Sequence, residues 1–226
     1  MNIPNKRPRI IEIVGVAGTG KSTLRKAMTQ RNERIKPFRF PGNISYLPFL
    51  VKMVATFYPL YLRKYRHDRW FTIHEIRNMG YLDTWLSRLR LRSLFRNSIY
   101  IIEPGSVYWL SNLQGQGPEI TRHPRFLHWW NQAIIHWSSA LEAIIWLDAP
   151  TDICFQRISS REEWHQYKFI PPEKALSLLK FYREYYERLI PQMASQHALK
   201  VLSFRSDQMS TEQITDRIFS EIDLKP

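Results

Sequence analysis

The stretch Gly15-Val16-Ala17-Gly18-Thr19-Gly20-Lys21-Ser22 constrains this chain more than any other. It matches GxxxxGK[ST], the phosphate-binding P-loop. Ile10-Ile11-Glu12-Ile13-Val14 precedes it and reads as a buried strand. Thr23-Leu24-Arg25-Lys26-Ala27-Met28 follows and reads as the start of a helix reaching about Asn32. Strand, glycine loop and helix is the context the motif requires. Gly15, Gly18 and Gly20 let the backbone turn tightly and approach a phosphate chain. The N–H groups of residues 15–23, Val16, Ala17, Thr19 and Thr23 among them, then point at the anion with the helix N-terminus. Lys21 is placed to reach the β- and γ-phosphates, and the Ser22 hydroxyl to ligate Mg²⁺. A nucleoside triphosphate with Mg²⁺ is the expected ligand.

The length of 226 residues suits one α/β domain over 1–226 rather than two. The one cysteine, Cys154, excludes an internal disulfide framework and a Cys-rich zinc site. It fits a reducing cytosol, and no apolar signal segment follows Met1, so a cytoplasmic location is expected. Lys and Arg number 33 against 20 Asp and Glu, a net charge of +13. Such an excess points to polyanionic company: nucleotides, nucleic acid or an anionic membrane surface. A basic substrate cleft on an ordinary enzyme accounts for it as well.

Four further stretches bear on chemistry. A short second strand is expected at Pro37-Phe38-Arg39-Phe40, with Arg39 at the ligand-facing edge of the sheet, placed to hold an anionic group. Ile44–Leu62 is strongly apolar and close to bilayer-spanning length, but Lys52, Pro48 and Pro59 interrupt it. A half-buried helix over the sheet is the first reading. A membrane-surface segment is the second, because Arg63-Lys64-Tyr65-Arg66 follows directly. Trp70 to about Leu94 reads as a helix with an apolar stripe of Trp70, Ile73, Ile76, Met79, Leu82, Leu86 and Leu89. Its other faces carry His74, Glu75 and Arg77, then Arg88, Arg92 and Arg96. His74 and Arg77 are the candidate acceptor-side residues. Ser98–Glu103 is a buried strand ending in a carboxylate at the Pro104-Gly105 break. Glu103 there is placed to accept a proton from an attacking hydroxyl, or to hold Mg²⁺ through water.

The second half continues the alternation. Val107–Leu113 reads as a helix, and Gln114-Gly115-Gln116-Gly117-Pro118 as the opening of a loop carrying Arg122, His123 and Arg125. Phe126–Leu141 is an aromatic helix whose Trp129, Trp130 and Trp137 suit core packing better than a stacking box. Ala143–Asp148 is a strand, and Thr151-Asp152 are placed to cap the next helix. That helix carries Arg157 and Arg161 on one face, at the edge of a polar flap running to Pro171. Two arginines on such a flap are placed to neutralise charge on a transferring phosphoryl group. Pro171–Ser195 is a long amphipathic helix that Pro191 is expected to kink or shorten. Leu199–Phe204 is the last strand, and Ser210 with Gln213 is a capping box for the last helix.

These residues resemble the P-loop nucleoside and nucleoside-monophosphate kinases, in particular the thymidylate and deoxynucleoside kinases. The resemblance runs from about Ile10 to Ile222. Beside the P-loop it rests on Leu147-Asp148-Ala149-Pro150-Thr151-Asp152 followed by Arg157 and Arg161, which is similar to the family's fourth strand and lid. It implies a three-layer α/β fold with a five-stranded parallel sheet in order 2-3-1-4-5, helices on both faces and a lid at about 157–170. Residues of about 44–94 then form an acceptor-side insertion. ATP with Mg²⁺ and phosphoryl transfer to a small acceptor follow, with Lys21, Glu103, Arg157 and Arg161 as catalytic candidates and Ser22 and Glu103 as metal candidates. Arg39-Phe40-Pro41-Gly42 is similar to the Arg-Glu-Pro-Gly run of thymidylate kinases, with Phe40 in place of the Glu. Glu103 matches the Glu of the Glu-Arg-Ser run in deoxynucleoside kinases, but Pro104 and Gly105 replace the Arg and Ser. The donor half matches the family and the acceptor half departs from it.

The leading expectation is an ATP-dependent kinase of a nucleoside or nucleotide, with a sugar or lipid-linked acceptor open. The alternative is a P-loop ATPase or nucleotide switch that binds nucleic acid or an anionic membrane. No Asn-Lys-x-Asp run supports a guanine-reading switch, and the complete Gly-Lys-Ser disfavours a sulfotransferase. The sequence leaves the oligomeric state open, a homodimer included.

Overall fold

Apolar β-branched runs form the centre of the molecule. β1 (Arg9–Val14), β3 (Ile99–Ile102) and β4 (Ala143–Asp148) pair in parallel, with Ile11 opposite Ile101 and Ala143. β2 (Ile35–Pro37) flanks β3 and β5 (Lys200–Arg205) flanks β4, giving the order β2-β3-β1-β4-β5. This is the five-stranded parallel order that the resemblance implies. The computed structural model describes residues 9–38, 47–93, 98–197 and 199–224.

Strand alternation sends side chains to two cores. Ile11, Ile13, Ile101, Ile145 and Leu147 face α1 (Lys21–Arg31) and α8 (Thr211–Glu221), meeting Leu24, Met28, Ile214 and Ile218. Ile10, Val14, Ile102 and Ile144 face the larger core. It is filled by α3 (Ile73–Ser93), α4 (Ser106–Gln116), α5 (Pro124–Ala140) and α7 (Pro172–Gln196). Trp85, Trp109 and Trp137 pack there with centroids 5.5–6.2 Å apart, and the Trp137 indole donates to the Leu82 carbonyl (3.0 Å). Trp137 is thus core, as expected, while Trp129 and Trp130 are half-buried against it.

Several boundaries differ from the sequence reading. β2 lies two residues earlier, and Arg39 and Phe40 fall outside the described residues. α2 (Leu47–Leu60) passes through Pro59 and widens into a π turn at Tyr61–Tyr65, as a missing proline N–H encourages. α3 begins at Ile73, so Trp70 precedes it, and Ile73 faces solvent at 63 % exposure. The buried stripe is Met79, Leu82, Leu86 and Leu89, joined by Trp85. Arg96 lies outside the described residues, as do the side chains of Arg88 and Arg92. The expected loop at Gln114 is instead the last turn of α4, because Gly115 is a packing residue. A Cβ on it would lie 2.1 Å from the Phe181 ring of α7. Arg122 ends a 3₁₀ turn (Glu119–Arg122), His123 caps α5 and Arg125 sits in its first turn. α6 (Thr151–Ser159) starts after Pro150 with no side-chain cap. It ends before Arg161, so the two arginines do not share a helix. α7 runs unbroken past Pro191, held by Leu189, Ile190 and Met193 in the core. The Ser210–Gln213 capping box is present in both directions. Among the described residues no helix is long and apolar enough to cross a membrane.

Candidate active site

The P-loop joins the end of β1 to α1, and two glycines are there because nothing larger fits. A Cβ on Gly15 would lie 2.5 Å from the Leu147 carbonyl oxygen. One on Gly18 would lie 2.3 Å from the Cys154 carbonyl oxygen, at a φ of +90° that side chains rarely adopt. The loop is thus pressed against β4 and α6. Thr19 Oγ1 donates to the Val16 carbonyl (2.9 Å) and Lys21 Nζ donates to the same oxygen (2.9 Å). Burial holds the Lys21 ammonium down at about 8, against the pull of Glu103. Ser22 and Thr23 lie exposed at the mouth. The first turn of α1 itself carries no acid.

β3 delivers Glu103 to this mouth. Ser22 Oγ donates to Glu103 Oε1 (2.9 Å), and Arg25 Nε donates to Oε2 (2.9 Å). The carboxylate side chain is 9 % exposed. The sequence puts Glu103 at the end of a strand, over the phosphates, and the structure sets it beside Ser22; the sequence does not single out Arg25. The signal was there: Arg25 is three residues after Ser22 and shares its helix face.

The sequence reading does not single out a second, deeper carboxylate either. Glu12 shares the β1 face of Ile10 and Val14 and is fully buried. Ser106 Oγ donates to it (2.5 Å), as does the Val107 N–H (2.8 Å). A Cβ on Gly105 would lie 2.6 Å from its carboxyl carbon. Burial pushes Glu12 up to about 7, opposed by those hydrogen bonds. A lone acid in an apolar strand was the available signal.

Among the described residues, cavities lie on and beside the loop. One of about 470 Å³ lies between Gly18–Gly20, Thr23, Arg157, Arg161 and the turn at Ser206–Thr211. Arg157 donates to the Ser206 carbonyl (3.0 Å) and, more weakly, to Gly18 (3.5 Å), bracing α6 against the loop. The Arg161 carbonyl accepts from the Lys168 ammonium within the flap. A second cavity of about 530 Å³ has Glu103 in its wall. Phe38, Tyr81, Tyr108 and Trp109 give it flat apolar walls, and His74, Arg77, Asn78, Asn112 and Gln166 give it polar groups. Arg77 Nη2 donates to His74 Nδ1 (2.9 Å), while Arg77 Nε is buried with no partner among the described residues. The two acceptor-side candidates on α3 are therefore brought together beside Glu103. Arg39, the third, lies outside the described residues. Arg122, His123 and Arg125 line none of these cavities.

A third cavity of about 230 Å³ meets the second at Pro104, Tyr108 and Gln166, and is lined by Lys21, Glu12, Tyr182, His165 and Tyr167 among others. Burial, with Arg161 and Lys21 nearby, holds His165 below its ordinary value. Its Nδ1 accepts from the Tyr167 N–H (3.2 Å), as in a neutral ring. At the end of β4, Asp148 accepts two bonds from Arg183 of α7 (2.8 and 2.9 Å). Among the described residues no three of His, Cys, Asp and Glu gather to hold a metal.

No protein-family model and no curated protein matches the chain. Solved structures do. A deoxyadenosine kinase from M. mycoides with bound dCTP aligns over 96 % of this chain and 100 % of its own, at TM-score 0.55 and 14 % identity. The chain has the fold of a deoxyadenosine kinase. The same enzyme with bound dATP aligns over 95 % of this chain and 99 % of its own, at TM-score 0.54 and 15 % identity. With products dCMP and a flexible dCDP bound it aligns over 96 % and 100 %, at TM-score 0.55 and 15 % identity.

Proposed function

We propose that the chain is an ATP-dependent kinase that phosphorylates a hydroxyl of a nucleoside, with Mg²⁺ as its metal. The observation that carries this reading is Glu103. Its carboxylate is held 2.9 Å from the P-loop Ser22 hydroxyl and opens onto a second, aromatic cavity. A nucleotide switch has no use for that cavity, so the kinase reading accounts for more of the site.

The residues fit a triphosphate. The Gly15 and Gly18 cradle excludes any Cβ, and a partly desolvated lysine faces it. ATP supplies the γ-phosphoryl group and its leaving-group oxygen. Gly15–Thr23 bind the phosphate chain through N–H groups, and Lys21 leaves the Val16 carbonyl for a phosphate oxygen. Ser22, with Glu103 behind it, is the metal-holding pair. Glu103 also takes the proton from the acceptor hydroxyl. Arg157 and Arg161, from the lid at 157–170, neutralise charge on the transferring group. His74 and Arg77 orient the acceptor, the buried Arg77 Nε serving as an available donor. The flat walls of Phe38, Tyr81 and Trp109 suit a base, and the amides of Asn78, Asn112 and Gln166 suit its polar edge. The deoxynucleotides bound in the similar structures support that choice. The buried, unpaired thiol of Cys154 supports a cytoplasmic setting.

The test is a thermal-shift screen with Mg²⁺, ATP and a panel of nucleosides, followed by a phosphotransfer assay on any hit. ATP at ~100 times its Kd adds about 2.7 kcal/mol of stability. Lys21→Ala should lose that shift and the activity. Full phosphotransfer by Lys21→Ala, or ATP binding with no nucleoside turned over, would sink the reading.

A further inference from the structure

Helix α2 is apolar on two faces. Phe49, Met53 and Phe57 turn inward and are buried against the larger core. Val51, Val54, Ala55, Tyr58, Pro59 and Leu62 recur every three or four residues and lie exposed. Val51 is 66 % and Leu62 50 % exposed. A surface helix carries one apolar stripe and points it at the core. A second stripe in water marks a surface that something covers.

The charges around the stripe say what. From Leu47 to Arg66 the sequence holds four cations, Lys52, Arg63, Lys64 and Arg66, and no carboxylate. Lys52 reaches Asp83 (3.7 Å). Arg63, Lys64 and Arg66 are exposed and make no salt bridge among the described residues. A second copy of the chain would bring the same stripe and the same four cations, with no acid in the stretch to meet them, on a molecule already at +13. An anionic lipid surface supplies both missing partners, acyl chains for the stripe and headgroups for the cations. We infer that the outer face of α2, with the basic turn at Arg63–Arg66, seats in the plane of an anionic lipid surface.

The geometry suits that placement. The stripe is about 16 Å long from Val51 to Leu62 at 1.5 Å per residue. It lies on the surface, since no described helix can cross a bilayer. Tyr58 puts an amphipathic ring at headgroup level. The basic turn sits at the end of the stripe, where long side chains reach the phosphates. The inference does not depend on the kinase reading.

The test uses the full chain, without nucleotide, in flotation with phosphatidylcholine vesicles that contain or lack phosphatidylglycerol. Binding is expected to the anionic vesicles only, and to weaken with salt. Each cation near such a surface contributes about fivefold, so a combined Arg63→Ala, Lys64→Ala, Arg66→Ala variant should bind about 100-fold more weakly. A Val54→Ser, Leu62→Ser variant should lose at least about tenfold through its apolar contacts. Both variants change exposed residues, so their melting temperature and their response to ATP should match the parent chain. Equal binding to neutral and anionic vesicles, or undiminished binding by either variant, overturns the inference. So does a dimer in light scattering that Val54→Ser, Leu62→Ser converts to monomer, which assigns the face to a second copy. Vesicle binding without phosphotransfer leaves the inference standing and removes only the kinase reading.

Discussion

At the scale of single residues, the site turns on how two carboxylates are held. In the Glu-Arg-Ser run that this chain resembles, an arginine follows the acid; here Pro104 does. Arg25 of α1 supplies a cation to Glu103 from another direction (2.9 Å). On the proposed function Ser22 would turn to a metal, and Arg25 would be the side chain left holding the carboxylate in place. Glu103→Gln should cut turnover by about 100-fold or more if the residue takes the proton. Losing a charge-assisted hydrogen bond of about 1.5–3 kcal/mol, Arg25→Met should lower kcat by roughly 10- to 100-fold. Its KM for ATP should change little, and Arg25→Lys should recover part of the loss. Equal losses in Lys and Met variants, or a loss confined to KM, would place Arg25 in binding or folding instead. Glu12 is different: it touches α4 rather than the reacting groups. Burial raises it from 4.5 to about 7 in the folded chain, so the fold takes up a proton that the unfolded chain releases. That stabilisation is fully present below pH 4.5 and lost as pH rises through about 7, and it is worth ~3 kcal/mol. In urea unfolding, Glu12→Gln should therefore gain on the parent chain between pH 5 and pH 8. A constant difference across that range would show that Glu12 titrates normally.

At the scale of elements, the P-loop is fixed on one side, where β4 presses on Gly15 and α6 on Gly18. Gly18→Ala must move the Cys154 backbone at the start of α6 or abandon φ +90°. It should cost more than about 2 kcal/mol of stability and remove the ATP-induced shift, read by the same melts. The central strands were legible because parallel strands covered on both faces are continuous apolar runs bounded by breakers. Lys21, Ser22 and Glu103 were legible because their strand and loop contexts fix where they point. What was not legible depends on tertiary partners. Gly115 reads as a loop opener, yet it serves the close approach of α4 to Phe181. Pro191 reads as a breaker, yet core packing carries α7 past it. Ile73 fits the α3 stripe by spacing but sits in the first turn, where no neighbour covers it. Arg161 has helical spacing from Arg157, yet α6 ends at Ser159. The cavity walls around Glu103 come from β2, α3, α4 and the flap, and no local pattern announces their meeting.

At the scale of the whole molecule, one short segment touches everything the site needs. Arg161 borders the cavity behind the P-loop, His165 and Tyr167 border the smallest cavity, and Gln166 borders both the smallest and the aromatic cavity. These residues connect the C-terminus of α6 to the N-terminus of α7, and α7 is tied back to β4 through Arg183 and Asp148. The same short segment thus borders the cavities proposed for both ligands. On the proposed function the flap closes around a nucleotide, which would fix Arg161 and, through the same few residues, Gln166, and so meet part of the ordering cost for the acceptor. The two ligands should then bind with positive coupling of about 1–3 kcal/mol, a 5- to 150-fold gain in affinity. Calorimetry of the nucleoside found in the screen, with and without a non-hydrolysable ATP analogue, measures it directly. The gain must be the same when the order of addition is reversed. Gln166→Ala should reduce the coupling more than it reduces the affinity for the analogue alone, since it faces the acceptor side of the flap. Independent binding, with affinities unchanged by the other ligand, would mean that the flap serves the nucleotide only and that the aromatic cavity recognises its acceptor unaided.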